Sequence, residues 1–449
     1  LKELEVMIRN YLQRNLALLA SLLILTTLAA NAQSGSTRPR RATASRTEKA
    51  AATNETNKSS DTLLDVEPAG ASSTRKRNTN TAAPPETSNA PLLNPVASTP
   101  VASTPAAMDV ATATSDTSTA FTLLKQKQYA AALKEARQIT ESNPNDSEGW
   151  KIAGFAELNL KQYAEASIDL QKALDLQRIA KQEDPFTFDA LAHAYYLSEK
   201  FDRALPLLVA ATTRQTNKPE AVTFYYRGVA EYRTGKAADA ERTFNQIVKD
   251  NPKDSGALYF LGQIAFERND FDAAIAALNR ATLADARLAA AWNLLTLSYL
   301  QRAGAAATPE KASADYLSAV RAGEGLTRVR TDPEANLLFA QTLIAAEQYP
   351  RAAGVLERIT TGADAPAPAL YLLGVAQSRA KNFPKAISAL ERAAAKTPED
   401  ANIYRELGYA YEISKQYGKA LTAYEKGASL LPGDADFKAS AERVRPYAK

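Results

Sequence analysis

The chain repeats itself, and that constrains its fold more than any other feature. An aromatic residue followed three positions later by alanine recurs as Tyr129/Ala132, Tyr163/Ala166, Phe201/Ala204, Phe271/Ala274, Tyr349/Ala352, Phe383/Ala386 and Tyr417/Ala420. Several of these steps are about 34 residues, the period of a stacked helix-turn-helix unit. Gly154, Gly228, Gly262, Gly374 and Gly408 each stand twelve positions before an alanine (Ala166, Ala240, Ala274, Ala386, Ala420). Four positions beyond each alanine comes a large side chain: Leu170, Phe244, Leu278, Leu390 or Tyr424. Pro144, Pro252, Pro398 and Pro432 close four of the units.

This spacing has a physical reading. The glycine and alanine fall where two antiparallel helices of one unit cross, because only small residues let the backbones approach. The aromatic and leucine positions are expected between units, each burial contributing about 1.5–3 kcal/mol. Proline ends the second helix because it cannot continue the hydrogen-bond ladder. One unit cannot cover its own apolar face, so several must stack.

Composition narrows the functions open to such a stack. Net charge is +4 with acids and bases nearly balanced, so the dense basic field of a nucleic-acid binder is missing and no nucleic-acid partner is expected. There is no cysteine, which removes disulfides, thiolate nucleophiles and cysteine-ligated zinc. The only histidine, His193, reads as a solvated or packed helix residue, not a ligand, so no metal and no cofactor is expected. The stretch from Gly228 to Lys236 carries two glycines and a lysine. A phosphate loop needs GxxxxGK followed by a hydroxyl, but here six residues separate the glycines and Ala237 follows the lysine. Gly228 is therefore a helix-crossing glycine, and Gly235 sits in the turn between two helices.

The N-terminal part reads differently. Residues 1–32 are expected to be an export signal: Arg9 and Arg14 precede an apolar run from Leu16 to Ala30, then the small-residue pattern Ala30-Asn31-Ala32. The run is short for a membrane span, so cleavage after Ala32 is preferred to an uncleaved anchor, and Met7 is a candidate true start. Residues 33–115 are rich in Ser, Thr, Ala, Asn and Pro and read as a disordered linker, unable to bury enough surface to offset ordering. Its basic clusters, Arg38 to Arg46 and Arg75 to Arg77, read as solvated. The array occupies residues 116–432, and 433–449 read as a short polar capping helix.

The repeated residues resemble the tetratricopeptide repeat family. One unit carries Trp150, Gly154, Tyr163, Ala166 and Ala173, and another Leu258, Leu261, Gly262, Phe271, Ala274 and Ala281. The resemblance implies an all-α, right-handed superhelical solenoid of about nine units whose first helices line a concave groove for a peptide or partner protein. Carried over unit by unit, the family's groove positions select Lys151, Phe155, Tyr196, Tyr225, Tyr232, Arg233, Tyr259, Phe266, Tyr371, Arg379, Arg405 and Tyr409. Aromatic and arginine side chains are those most enriched at interface hot spots. The family's carboxylate clamp is not supported, because Phe155 stands where asparagine is required. Three departures stand out: a first unit without Trp or Gly, extra residues after Leu176, and an insertion after Trp292 in which Pro309 is expected to open the second helix.

These features together point to a non-enzymatic protein-interaction scaffold of a bacterial envelope, periplasmic if the signal is cleaved and anchored or secreted otherwise. Membrane contact is expected only through an uncleaved signal. The alternative is an accessory protein for cell-wall or exopolysaccharide assembly, stacking sugars on the groove aromatics. Catalysis by paired carboxylates is disfavoured, since acids fall mostly on polar faces or in turns such as "NPNDSE" and "NPKDSG", where they start helices.

Overall fold

The computed structural model describes residues 117–448 except Lys218; the expected export signal and linker lie outside the described residues. All regular structure among these residues is helical. Nine helix pairs follow one another: α1 (Thr117–Lys125) with α2 (Tyr129–Ser142), α3 (Ser147–Asn159) with α4 (Tyr163–Ile179), and α5 (Pro185–Leu197) with α6 (Phe201–Thr213). Next come α7 (Ala221–Arg233) with α8 (Ala237–Asp250), α9 (Ser255–Glu267) with α10 (Phe271–Ala284), and α11 (Ala289–Gly304) with α12 (Pro309–Val329). The last three are α13 (Pro333–Ala345) with α14 (Tyr349–Ile359), α15 (Ala367–Arg379) with α16 (Phe383–Lys396), and α17 (Ala401–Ile413) with α18 (Tyr417–Leu430). A final helix, α19 (Ala435–Val444), buries Phe437, Ala441 and Val444 against the end of the stack. Each helix packs mainly on its neighbours in sequence, the pattern of a solenoid.

The crossing glycines meet the large residues of their own units. A Cβ on Gly228 would lie 2.8 Å from the Phe244 ring, and Gly154, Gly262, Gly374 and Gly408 are covered at least as closely by Leu170, Leu278, Leu390 and Tyr424. The expectation that these large residues sit only between units is thereby corrected. Each fills the notch its glycine opens, and Phe244 also stacks on Phe260 of the next unit, with centroids 4.9 Å apart. The α11/α12 unit reverses the arrangement: Thr296 takes the glycine slot, and Gly325 on α12 makes room for the Trp292 ring.

The turns inside units are nearly identical. Eight contain one residue in the left-handed region two positions before the second helix: Lys127, Lys161, Glu199, Gly235, Asn269, Glu347, Lys381 and Lys415. The next N–H reaches back to close the helix, as from Gln162 to the Glu157 carbonyl and from Lys236 to the Glu231 carbonyl, both at 2.8 Å. Six helices begin with an aspartate cap at the start of a unit or of α19. Asp146 accepts from the Gly149 N–H at 2.8 Å and Asp254 from that of Ala257 at 2.9 Å, the helix starts expected of the two turn sequences. Pro309 opens α12, the longest helix, whose base is held by Arg302 through two bonds to Asp315 (2.6 and 2.9 Å) and one to Asp272.

Two glycines separate the roles this residue plays. Gly262→Ala forces a methyl into the Leu278 side chain and is expected to cost about 1–3 kcal/mol. Gly354→Ala, in mid-α14 with open space around it, is expected to stabilise by about 0.5–1 kcal/mol. Urea-denaturation midpoints of the two variants should move in opposite directions.

Candidate partner-binding groove

The first helices of successive units touch each other: α1 with α3, α3 with α5, α5 with α7, and every such step from α9 to α17. The second helices make no contact of that extent. A stack held closer along one row bends toward it, so the first helices line the inner, concave side. Only between α7 and α9 is the inner row less tightly drawn.

The twelve sequence-selected residues lie on these first helices, but their burial differs widely. Lys151 is buried, its ammonium 3.1 Å from Glu148 and 3.0 Å from Asp184. Tyr196 is buried and stacked on Tyr226 at 3.9 Å. Tyr225 is buried between Phe244 and Phe260, its hydroxyl pressed against Gly256 without a hydrogen-bond partner. Tyr232 is half-buried; its hydroxyl donates to Glu267 and accepts from Gln263 at 2.7 Å. Burial raises the Tyr196, Tyr225, Tyr232 and Tyr259 hydroxyls above the ordinary phenol value, so they remain protonated at physiological pH.

The remaining residues lie nearer the surface. Arg233 is exposed at the end of α7, over the Phe201 ring at 5.9 Å, and makes no ion pair among the described residues. Tyr259 and Phe266 are half-buried on α9, edge-on to Phe260 and Phe271. Tyr371 is half-buried between two cores. Arg379 pairs with Glu406 at 3.1 Å and lies over the half-buried Tyr409. Arg405 is committed to the last helix, pairing with Asp434 and lying 4.1 Å from the Phe437 ring centroid. Phe155 reaches a cavity.

That cavity, about 250 Å³, opens on the concave side between α3, α5 and the start of α7. Phe155, Leu158 and Phe186 form apolar walls, with Asp189, His193 and Thr223 as the polar part. Asp189 is held by both oxygens to Arg214 at 2.6 and 2.8 Å. His193 is buried, Nε2 lying 2.9 Å from the Thr223 hydroxyl, and burial lowers its pKa to about 4, keeping it neutral. Sequence reading missed this site although a signal existed. Ala192 stands twelve residues before Ala204, in the slot filled by glycine elsewhere, so His193 corresponds to Phe155 after Gly154 and Tyr409 after Gly408.

A pair of carboxylates is present, but sealed inside. Glu157 and Asp169 are buried side by side, with Arg137 reaching from α2 to 2.5 Å of one and 2.8 Å of the other. One guanidinium cannot neutralise two buried carboxylates, and burial raises both pKa values, reinforced for Glu157 by its acidic neighbour.

A sequence model of the tetratricopeptide repeat matches residues 120–185, 227–289, 337–396 and 371–435, together about half of the chain. The chain belongs to the tetratricopeptide repeat family. The stretches of the tetratricopeptide array left unmatched contain α5 and α6, beside the cavity, and the long α11/α12 hairpin. No curated protein matches the sequence. Among solved structures, the array is similar to the C-terminal part of a TPR repeat-containing protein from Cytophaga hutchinsonii, with 13% identity over 65% of this chain and 99% of that one, at a TM-score of 0.41. A tetratricopeptide repeat protein from Parabacteroides merdae shares 14% identity over 58% of this chain and 98% of its own, at 0.37. YrrB, described as a TPR protein with an unusual peptide-binding site, shares 18% over 44% of this chain and 97% of its own, at 0.37.

The buried pair makes stability pH-dependent in a defined direction. A carboxyl whose pKa is raised in the folded state binds its proton more tightly there than in the unfolded chain. Its contribution is complete below the unfolded value of 4.5 and is lost as pH rises toward the folded one. Burial of neutral His193 acts in the opposite direction over part of this range, so the check is differential: Glu157→Gln is expected to make the urea midpoint fall less, or rise more, from pH 5 to pH 8 than in the unaltered chain.

Proposed function

We propose that the tetratricopeptide array is a protein-interaction scaffold that holds a peptide or partner protein along its concave side, and that it works in a bacterial cell envelope. One observation carries the reading: the first helices form the inner row along most of the stack, and two of them, α7 and α9, present Arg233, Tyr259 and Phe266 at or near the surface. Side chains of these kinds dominate interface energetics when a partner buries them. The envelope assignment rests on the basic, apolar and small-residue order of residues 1–32.

Protein is favoured over sugar by the state of the rings. A sugar polymer needs free aromatic faces at successive positions, whereas Tyr196 is stacked on Tyr226 and Tyr225 is buried among Phe244 and Phe260, with the half-buried rings Tyr259 and Phe266 together on one helix. A structural role for the paired carboxylates is likewise supported by their enclosure, Glu157 being 1% exposed.

Burial decides which residues to mutate. Tyr225 is a core residue, so its loss would confuse unfolding with lost binding. The informative variant is Arg233→Ala with Tyr259→Ala and Phe266→Ala in the full chain, compared with the unaltered chain as bait in envelope extract. Loss of a captured protein from the variant, at unchanged helical content by circular dichroism, is the expected outcome. Identical captures would refute the concave-side reading.

A further inference from the structure

The cavity between α3, α5 and α7 has a size and lining that define what fits it. At about 250 Å³ it falls below the roughly 300–1,000 Å³ of pockets that enclose a small-molecule ligand. It is a volume for one side chain. Two rings, Phe155 and Phe186, and Pro185 and Pro219 give it flat apolar walls, whereas His193 and Thr223 place polar groups among them. The His193 Nε2 lies 2.9 Å from the Thr223 hydroxyl, so the polar edge of the lining is a histidine and threonine pair. An apolar body with one polar edge, as in tyrosine or tryptophan, matches such a lining.

The surroundings add a charge requirement. Two carboxylates, Asp189 and Glu220, are among the lining residues, and no lysine or arginine is. Asp189 is engaged by Arg214, but Glu220 is exposed and makes no ion pair among the described residues. The described lining is therefore acidic although the whole chain is +4. Long-range attraction of a neutral or acidic segment is therefore not what selects the occupant.

We infer that this cavity is an anchor pocket for a partner-protein segment in which one tyrosine or tryptophan stands beside a lysine or arginine, the ring entering between Phe155 and Phe186 and the cation meeting Glu220. The inference rests on the scaffold reading and sharpens it: it locates the principal contact in the second to fourth units and sets the chemistry of the bound segment.

The test uses the full chain and fluorescein-labelled synthetic peptides Gly-Ser-Lys-Trp-Lys-Ser-Gly, its Trp→Ala form, and its form with both lysines changed to glutamate, followed by fluorescence anisotropy. Binding of the first is expected, about thirtyfold weaker without the tryptophan and about tenfold weaker with glutamates. Glu220→Lys, at an exposed position, is expected to invert the preference between the lysine and glutamate peptides without changing helical content. Equal binding of all three peptides, or an unchanged preference in Glu220→Lys, would overturn the pocket. If the full chain rejects the lysine peptide but takes it once Arg38, Arg40, Arg41 and Arg46 are changed to glutamine, the chain's own basic segment is the occupant and the separate partner is overturned. The two levels remain distinguishable. A natural partner lost by the Arg233/Tyr259/Phe266 variant but retained by Glu220→Lys and Phe186→Ala removes the pocket and leaves the scaffold standing.

Discussion

A missing side chain on one helix, filled by a large side chain from the next, is the interaction on which this array depends. Gly154 under Leu170, Gly262 under Leu278 and Gly408 under Tyr424 are the same contact made at different points of the chain. Each fixes the separation and rotation of two helices at once, because the notch admits one side chain in one position. The remainder follows by translation. With each pair set, its outer surfaces are alike, so one unit stacks on the next in one manner and the first helices align along one side. The long α11/α12 hairpin confirms that the fit matters more than the residue supplying it, since there Gly325 makes the notch and Trp292 fills it.

Much of this was legible in the sequence because it is written in small residues that recur at the period of a stacked helix pair. The repeat, the helix-crossing glycines, the Gly235 turn, the aspartate helix starts and Pro309 at the head of α12 were all readable. The depth of each groove side chain was not. Tyr225 and Tyr259 hold equivalent positions in consecutive units, yet one is buried and the other half-buried. The difference arises from the neighbouring unit: Gly256 leaves room for the Tyr225 ring to sink against α9. Such pairings run between units and carry no periodic signature. The cavity was hidden for a related reason, since Ala192 replaces the glycine that marks the unit elsewhere and His193 is a residue type with many ordinary uses.

The buried polar groups show how much irregularity the repeat can absorb. The seam between a unit's two helices is mostly apolar, yet Glu157 faces Asp169 there, and Glu231 receives Arg227 and the Thr243 hydroxyl. Each departure is met by neighbouring groups, in part by Arg137 from the preceding unit in one case, and by Arg227 one turn earlier and Thr243 on the facing helix in the other. Because each unit touches little beyond its neighbours, such a substitution need not be accommodated by the rest of the molecule.

The eight near-identical turns also determine where the chain can grow. Their closing hydrogen bonds leave a single left-handed residue and no slack, so an added residue would unseat the second helix from its notch. The α11/α12 connection has given up that turn: α11 runs on to Gly304, Ala305 continues in right-handed geometry, and Arg302 clamps the base by its bonds to Asp315 and Asp272. Residues 305–308, mostly exposed and free of the left-handed turn, are thus the connection inside a unit where added length has room to loop out, so a tag or reporter belongs there and not in the eight tight turns.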